Sequence, residues 1–520
     1  MISRLMMCRV SLAVGATVAI SLGGCTVGPN FSPPEAASPA SFRASEASDA
    51  SRTVTGTVAV QWWQSFDDPI LTRLEERVAA QNLDVQVATE RLLEARAEIE
   101  IAGAAALPSI NASGNYAHEL NSAYGPANSP PLLPFSIKPV PYNYYEAGFD
   151  AAWEVDLWGK TRRSVEAARA SFAEAAAERR GVLLSALAEL GRDYIDLRDA
   201  QDLLRITRQN LGTAQQSLNL TEQRAAAGLV ADLDVANASA QAASIQAQIP
   251  PLQTRITADV NAISYLLGLP PSALSSELSP PRPTPPVPPA VPIGLPSELL
   301  TRRPDIMAAE DQLHQATAEV GVAVADFYPS FNLVGNIDLQ SISLSQFADI
   351  AARTYSFGPT ITLPIFEGGE LKGQLSLRKA QQKEAAINYA RTVLAAFHDV
   401  DNSLAAYDDE QRRRVSLEEA VQQDTRALGL AQSRYADGLT DFLEVLTTQQ
   451  NLLSADQQLA ISTAAISTDL VAIYKALGGG WQVAFPEEAS AGAAAGTGVA
   501  TSAKGAQPVT EAAAVAPARP

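Results

Sequence analysis

Few residues in this chain have side chains able to do chemistry, and they are widely spaced. His118, His314 and His398 are scattered over different stretches, with no spacing suggestive of a metal site. No Gly-rich phosphate loop occurs, so any energy must come from a partner, and nothing argues for catalysis. Cys8 and Cys25 are the only thiols, and Cys25 follows the small residues Gly23 and Gly24. The remaining candidates are the carboxylates Asp234 and Glu444. Asp234 and Glu444 are equivalent residues of two copies of one sequence unit. Carboxylates repeated in this way around an axis would form a negative ring that attracts multivalent cations and disfavours anions. The alternative is that they are solvated acids on amphipathic helices.

The copies are Arg224–Ala238, RAAAGLVADLDVANA, and Arg434–Thr448, RYADGLTDFLEVLTT, paired at a constant offset of 210. Gly228 matches Gly438, and in each copy a long helical pattern breaks at that glycine and restarts after a short polar cap. Both therefore read as turns at the tips of helical hairpins. A repeat of this length changes the fold expectation before any other residue is weighed.

Arg4 and Arg9 precede an apolar core from Val10 to Leu22, too short to remain in a bilayer, so residues 1–24 read as an export signal. Leu22-Gly23-Gly24-Cys25 resembles the lipobox of bacterial lipoproteins, which implies a diacylglycerol and palmitoyl anchor on Cys25 and no other cofactor. Cys8 leaves with the signal, so no disulfide or thiolate metal site is expected. The net charge moves from −19 to −21 when Arg4 and Arg9 are lost. Such acidity excludes a nucleic-acid partner.

Residues 25–60 are rich in Pro, Ser and Ala and read as an extended tether. The first repeat spans 61–269. Trp62, Trp63 and Phe66 are packing residues, and Asp67-Asp68-Pro69 opens a helix running to about Ala105. From Pro108 the period becomes alternating, and Tyr145 to Leu157 alternate cleanly with Glu146, Asp150, Glu154 and Asp156. That is near the length of a tilted membrane strand. After Trp158-Gly159-Lys160 a helix about 100 Å long is expected. Leu183, Leu190, Leu197, Leu204, Leu211 and Leu218 give it a seven-residue seam. The return helix, from Asp232, is interrupted at Pro250-Pro251.

Eleven prolines between 270 and 296 predict a stiff, extended connector. The second repeat, 297–482, follows the same order, with Glu367-Gly368-Gly369 standing where Trp158-Gly159-Lys160 stood and an unbroken return helix from Asp441 to Leu477. Residues 483–520 read as a disordered tail.

Each half is thus helix, strand, loop, strand, long helix, tip and return helix. Four membrane-length strands cannot close a barrel, and open edges cannot face lipid. The barrel must be shared. Two chains give an eight-stranded barrel filled by side chains, whereas three give twelve strands and a lumen. The polar strand face favours the larger assembly. The expected fold is mainly α with membrane β: a duplicated unit giving four strands per chain to a trimeric twelve-stranded barrel, continued by a periplasmic α-helical coiled-coil barrel.

The lipobox, QWWQSFDDP, RRPDI at 302–306, PIFEGG at 364–369, both glycine tips and ALGGGW at 476–481 resemble the outer-membrane efflux family of TolC-type channels. The lipid-anchored, NodT-type branch serving resistance-nodulation-division pumps matches best, over about residues 20–482. The resemblance implies a homotrimer in the outer membrane, with its lipid as a second anchor. It also implies a helical tunnel docking on a periplasmic adaptor and an inner-membrane pump, and passive conduction of small molecules or drugs. By the same resemblance, Tyr435 and Asp234 hold the periplasmic tip closed by hydrogen bonding, Glu444 and Thr447 ring the constriction, and Leu443 is an apolar gate. Thr447 removes one of the family's carboxylates, and Thr440 stands where the best-known member has an arginine. Closure here would then rest more on Tyr435 and Leu443. Two alternatives remain: the outlet of an ABC-driven protein exporter, and a structural or adaptor lipoprotein without a pore. The alternating strands argue against the latter.

Overall fold

The computed structural model describes residues 26–34, 38–39, 41–42, 51–122 and 140–485. Cys25, the export signal and the tail from residue 486 lie outside the described residues, as does much of the loop between the first two long strands.

A three-residue strand β1 (Arg52–Val54) precedes the buried turn carrying Trp62, Trp63 and Phe66. Helix α1 (Pro69–Gln81) starts at Asp68, whose carboxylate accepts from the backbone N–H of Ile70 at 2.8 Å and from the Tyr194 hydroxyl at 2.6 Å. One residue thus caps α1 and ties it to the long helix beyond. The single helix expected to run to about Ala105 is two. Asn82 adopts an extended backbone, caps α2 (Leu83–Ala104) through Val85 N–H, and donates to the Leu266 carbonyl at 2.9 Å. A side chain that caps a new helix and binds a distant carbonyl overrides a continuous helical pattern.

The strands β2 (Ser109–Glu119) and β3 (Tyr142–Glu154) lead into helix α3 (Lys160–Ala226). The broken return consists of α4 (Asp232–Ala247) and α5 (Ile249–Leu266), parted at Gln248 just before Pro250-Pro251. A short helix α6 (Ser275–Leu278), strand β4 (Ala290–Pro292) and short helix α7 (Leu299–Arg302) connect to the second half. That half contains α8 (Pro304–Ala325), β5 (Ser330–Ser341), β6 (Arg353–Thr362), α9 (Glu370–Ala436) and the unbroken α10 (Phe442–Ala476).

Helices α3 and α9 each have 67 residues, and both their starts and their ends differ by 210. Each begins at a glycine with positive φ, Gly159 (+85°) and Gly369 (+96°). The counterpart of Trp158-Gly159-Lys160 is therefore Gly368-Gly369-Glu370, one residue beyond the sequence-based alignment. The left-handed N-cap, open only to glycine without strain, fixes the register. Leu183, Leu190 and Leu197 are buried, as are their partners Val393, Val400 and Tyr407. The seam is thus dry near the middle of the long helices.

Two segments read as passive spacers are docked on the body. In the proline-rich connector, β4 pairs in parallel with β1, and Leu278 and Val291 are buried. Proline removes donors but leaves carbonyls, so such a segment packs where the body supplies donors. Arg198 donates to the carbonyls of Leu278 and Pro280, Gln201 to Leu278, and Ser467 to Pro285. At the N-terminal end, Val27 N–H bonds the Trp158 carbonyl at 3.0 Å, Arg163 bonds Asn30 at 2.6 Å, and Phe31 stacks on His314 with centroids 4.3 Å apart. A Cβ on Gly28 would lie 2.5 Å from Cα of Gly321, so the fit there requires glycine.

The four long strands form one antiparallel sheet in the order β2-β3-β5-β6. Both β2 and β6 are open edges, and their strands of ten to thirteen residues suit a tilted membrane span. The core sits below the sheet, around Trp62, Phe66, Leu187, Tyr194, Tyr474 and Trp481. Within it Glu75 is fully buried, and neither carboxyl oxygen has a hydrogen-bond partner among the described residues. Burial pushes its pKa well above the usual carboxylate range.

Candidate functional site

The sheet separates its residues cleanly by face. The register aligns Asn111 with Asp150, Asp150 with Asn336, Gly148 with Asp338, and Glu146 with Gln340. Asn111 donates to Asp150 at 3.0 Å, Gln340 to Glu146 at 2.7 Å, and Asn336 to Asp338. The strand residues of this face include no Lys or Arg. The opposite face exposes Ile110, Phe149, Ile337, Tyr355, Phe357 and Ile361. One polar and one exposed apolar face, each a row of alternate residues, is the pattern of a barrel wall between water and lipid.

At the other end of the long helices the two tips close identically. Gly228 N–H bonds the Ala225 carbonyl at 2.8 Å and Leu229 N–H the Arg224 carbonyl at 2.9 Å. Gly438 and Leu439 repeat this on Tyr435 (3.0 Å) and Arg434 (2.8 Å). The paired bonds, with glycine φ of +70° and +73°, make both tips Schellman closures. After the second tip Asp441 caps α10 by accepting from Glu444 N–H at 3.2 Å, whereas Ala231 before α4 offers no side-chain cap.

The sequence-predicted gate residues divide into a buried restraint and an exposed face. Tyr435 is buried, edge-on to Phe442 at 5.5 Å. Its hydroxyl donates to Thr221 Oγ1 at 3.4 Å and not to Asp234. The expected Tyr435–Asp234 bond is therefore corrected: the ring sits between α3 and α10, which aims its hydroxyl one turn above the tip of α3. The stronger restraint is Arg224, which the sequence reading did not single out. Its guanidinium lies over the Tyr435 ring at 4.7 Å and donates to the carbonyls of Tyr435 and, at 3.1 Å, Ala436. Arg224 from the first hairpin thus caps the last carbonyls of α9 in the second. Gln449 to Ser217 at 2.6 Å and Gln450 to Gln241 at 3.0 Å extend the contact upward. Arg224 opens the first copy of the repeat, but the carbonyls it binds are a tertiary fact.

Leu443, Glu444 and Thr447 lie together on one exposed face of the first turns of α10, with Leu443 62% exposed. The Thr447 hydroxyl turns back to the Leu443 carbonyl at 2.8 Å. This leaves Glu444 as the charged group on that face, while its repeat partner Asp234 is half-buried in the first turn of α4.

A sheet with a lipid-suited face, a polar face and two open edges, standing on paired helices far too long for a compact domain, defines an outer-membrane channel subunit. The comparisons agree. The outer membrane efflux protein family matches residues 74–269 and 295–479, and the chain belongs to that family. It is 33% identical over 443 residues to Nodulation protein T of Rhizobium leguminosarum bv. trifolii, covering 84% of this chain and 91% of that protein. It is 32% identical over 474 residues to the probable efflux pump outer membrane protein TtgC of Pseudomonas putida, covering 91% and 96%. The fold matches the outer-membrane channel OprN with a TM-score of 0.81 at 36% identity, covering 88% of this chain and all of that one. The protein resides in the outer membrane and extends into the periplasm.

Proposed function

We propose that this chain is the exit duct of a tripartite efflux pump of the resistance-nodulation-division type. It conducts small molecules passively from a periplasmic adaptor and an inner-membrane pump to the exterior. The supporting observation is the joining, in one chain, of an open-edged sheet with an acidic polar face to two equal helical hairpins. Three copies place twelve strands around a water-filled lumen, continued by six hairpins. No catalytic step is required. The gate is at the hairpin tips, where Arg224 and Tyr435 hold the two hairpins of one protomer together. Leu443 and Glu444 form the exposed face that meets the axis, and Asp234 lies beside the equivalent turn. Cys25 carries the lipid, an anchor additional to the barrel. Small-molecule efflux is favoured over protein export by the similarity to TtgC, an efflux-pump protein.

Deleting the gene is expected to raise accumulation of a hydrophobic cationic dye several-fold in cells. Plasmid-borne wild type should reverse this, and Cys25→Ser should restore at least half the efflux, because the barrel itself provides insertion. Unchanged dye accumulation together with loss of a secreted protein would assign the channel to protein export. A Cys25→Ser chain still labelled by a palmitate analogue would show that the acylated residue lies elsewhere.

A further inference from the structure

Internal duplication makes the six hairpins of a trimer nearly equivalent, so each first hairpin stands between two second hairpins, one from its own chain and one from a neighbour. The contact within the chain is visible: Arg224 of the first hairpin binds the carbonyls of Tyr435 and Ala436 at the end of α9. Adding 210 to Arg224 gives Arg434, and subtracting 210 from Tyr435 and Ala436 gives Ala225 and Ala226 at the end of α3. Arg434 is exposed and makes no ion pair or side-chain hydrogen bond among the described residues. Ala226 is likewise exposed, and the Ala225 carbonyl accepts from Gly228 N–H just as that of Tyr435 accepts from Gly438 N–H while also binding Arg224.

We propose that Arg434 is an inter-subunit latch, capping the final carbonyls of α3 in a second copy of this chain as Arg224 caps those of α9 in its own. The inference rests on the trimeric channel reading above. The other members of the contact do not survive the offset. Tyr435 becomes Ala225, Thr221 becomes Ala431, Ser217 becomes Ala427 and Gln449 becomes Ser239. The seam between protomers therefore keeps the arginine and its carbonyl targets. It loses the ring under the guanidinium, the hydroxyl pair and the glutamine-to-serine bond. It is the weaker of the two seams, parts first when the tip opens, and depends on Arg434 more heavily than the intrachain seam depends on any single group.

The test uses full-length protein in outer membranes, with paired cysteines and a bismaleimide about as long as an arginine side chain. Arg434→Cys with Ala226→Cys should give covalent dimers and trimers, whereas Arg224→Cys with Ala436→Cys should close within a monomer. Ala225→Tyr, which gives the inter-subunit seam its missing ring, should lower the open fraction in bilayers severalfold, and Arg434→Ala should abolish that gain. If the 434/226 pair yields only monomer in membranes whose trimer is intact on native gels, the latch is overturned and the channel reading stands. If wild type itself shows no trimer, both fall.

Discussion

Arg224→Ala is expected to raise the open-to-closed ratio of each tip about 30-fold, corresponding to about 2 kcal/mol. The side chain stacks on Tyr435 and donates a charge-assisted bond to each of the last two carbonyls of α9, those of Tyr435 and Ala436. Its loss leaves the tips of the two hairpins of a protomer held by neutral hydrogen bonds of Gln449, Gln450 and Tyr435 and by the apolar packing of Tyr435 and Phe442. Tyr435→Phe keeps that packing and the stacked guanidinium, and removes one hydrogen bond of 3.4 Å, so its effect should be no more than severalfold. Single-channel recording of both variants in planar bilayers checks this order. Equal effects, or a larger one for Tyr435→Phe, would move the restraint from the guanidinium to the hydroxyl.

Glu75→Leu is expected to stabilise the protein by about 2 kcal/mol at neutral pH by removing a buried carboxyl with no partner. Glu75 is completely buried on α1, and a Cβ on Gly191 would lie 3.4 Å from its Oε1 and 2.8 Å from the Trp62 ring. Burial raises its pKa in the folded chain, while the unfolded chain keeps an ordinary value. Between those two values the folded state binds more protons, so wild-type stability falls as pH rises, by up to about 1.4 kcal/mol per unit. The penalty is absent below the unfolded pKa, and the gain from Glu75→Leu should therefore grow with pH. Thermal dissociation of detergent-solubilised trimer at pH 5 and pH 8 measures it. A gain equal at both pH values would mean that Glu75 ionises alike in both states.

Much of this was legible in the sequence because periodicity is local. Alternation from Tyr145 onward and the seven-residue seam through Leu183 and Leu190 reflect geometry that each segment imposes on itself. The 210-residue offset then tied the halves together. Where the reading failed, the decisive contact was distant. Asn82 breaks a helix because Leu266 lies within its reach, and the proline-rich connector docks because Arg198 and Ser467 supply donors. Composition predicts the extended conformation of residues 270–296 but not the surface that receives it. At the tip, the glycines and Glu444 were visible in the repeat and Leu443 in the resemblance, and the structure places Gly228 at the first hairpin's turn and Gly438, Leu443 and Glu444 at or just after the second's. Arg224 was not, because its partners are backbone carbonyls, which carry no sequence signal. The pairing of Tyr435 with Asp234, expected from resemblance, gave way to Thr221 because Tyr435 is buried between the hairpins.

The central claim is that four strands with two open edges oblige this chain to build one barrel from three copies. Native mass spectrometry of the protein extracted in mild detergent tests it most directly. The account predicts one dominant species at three times the mass of the acylated chain, collapsing to unfolded monomer when heated. A monomer that keeps its strand content in detergent would contradict it.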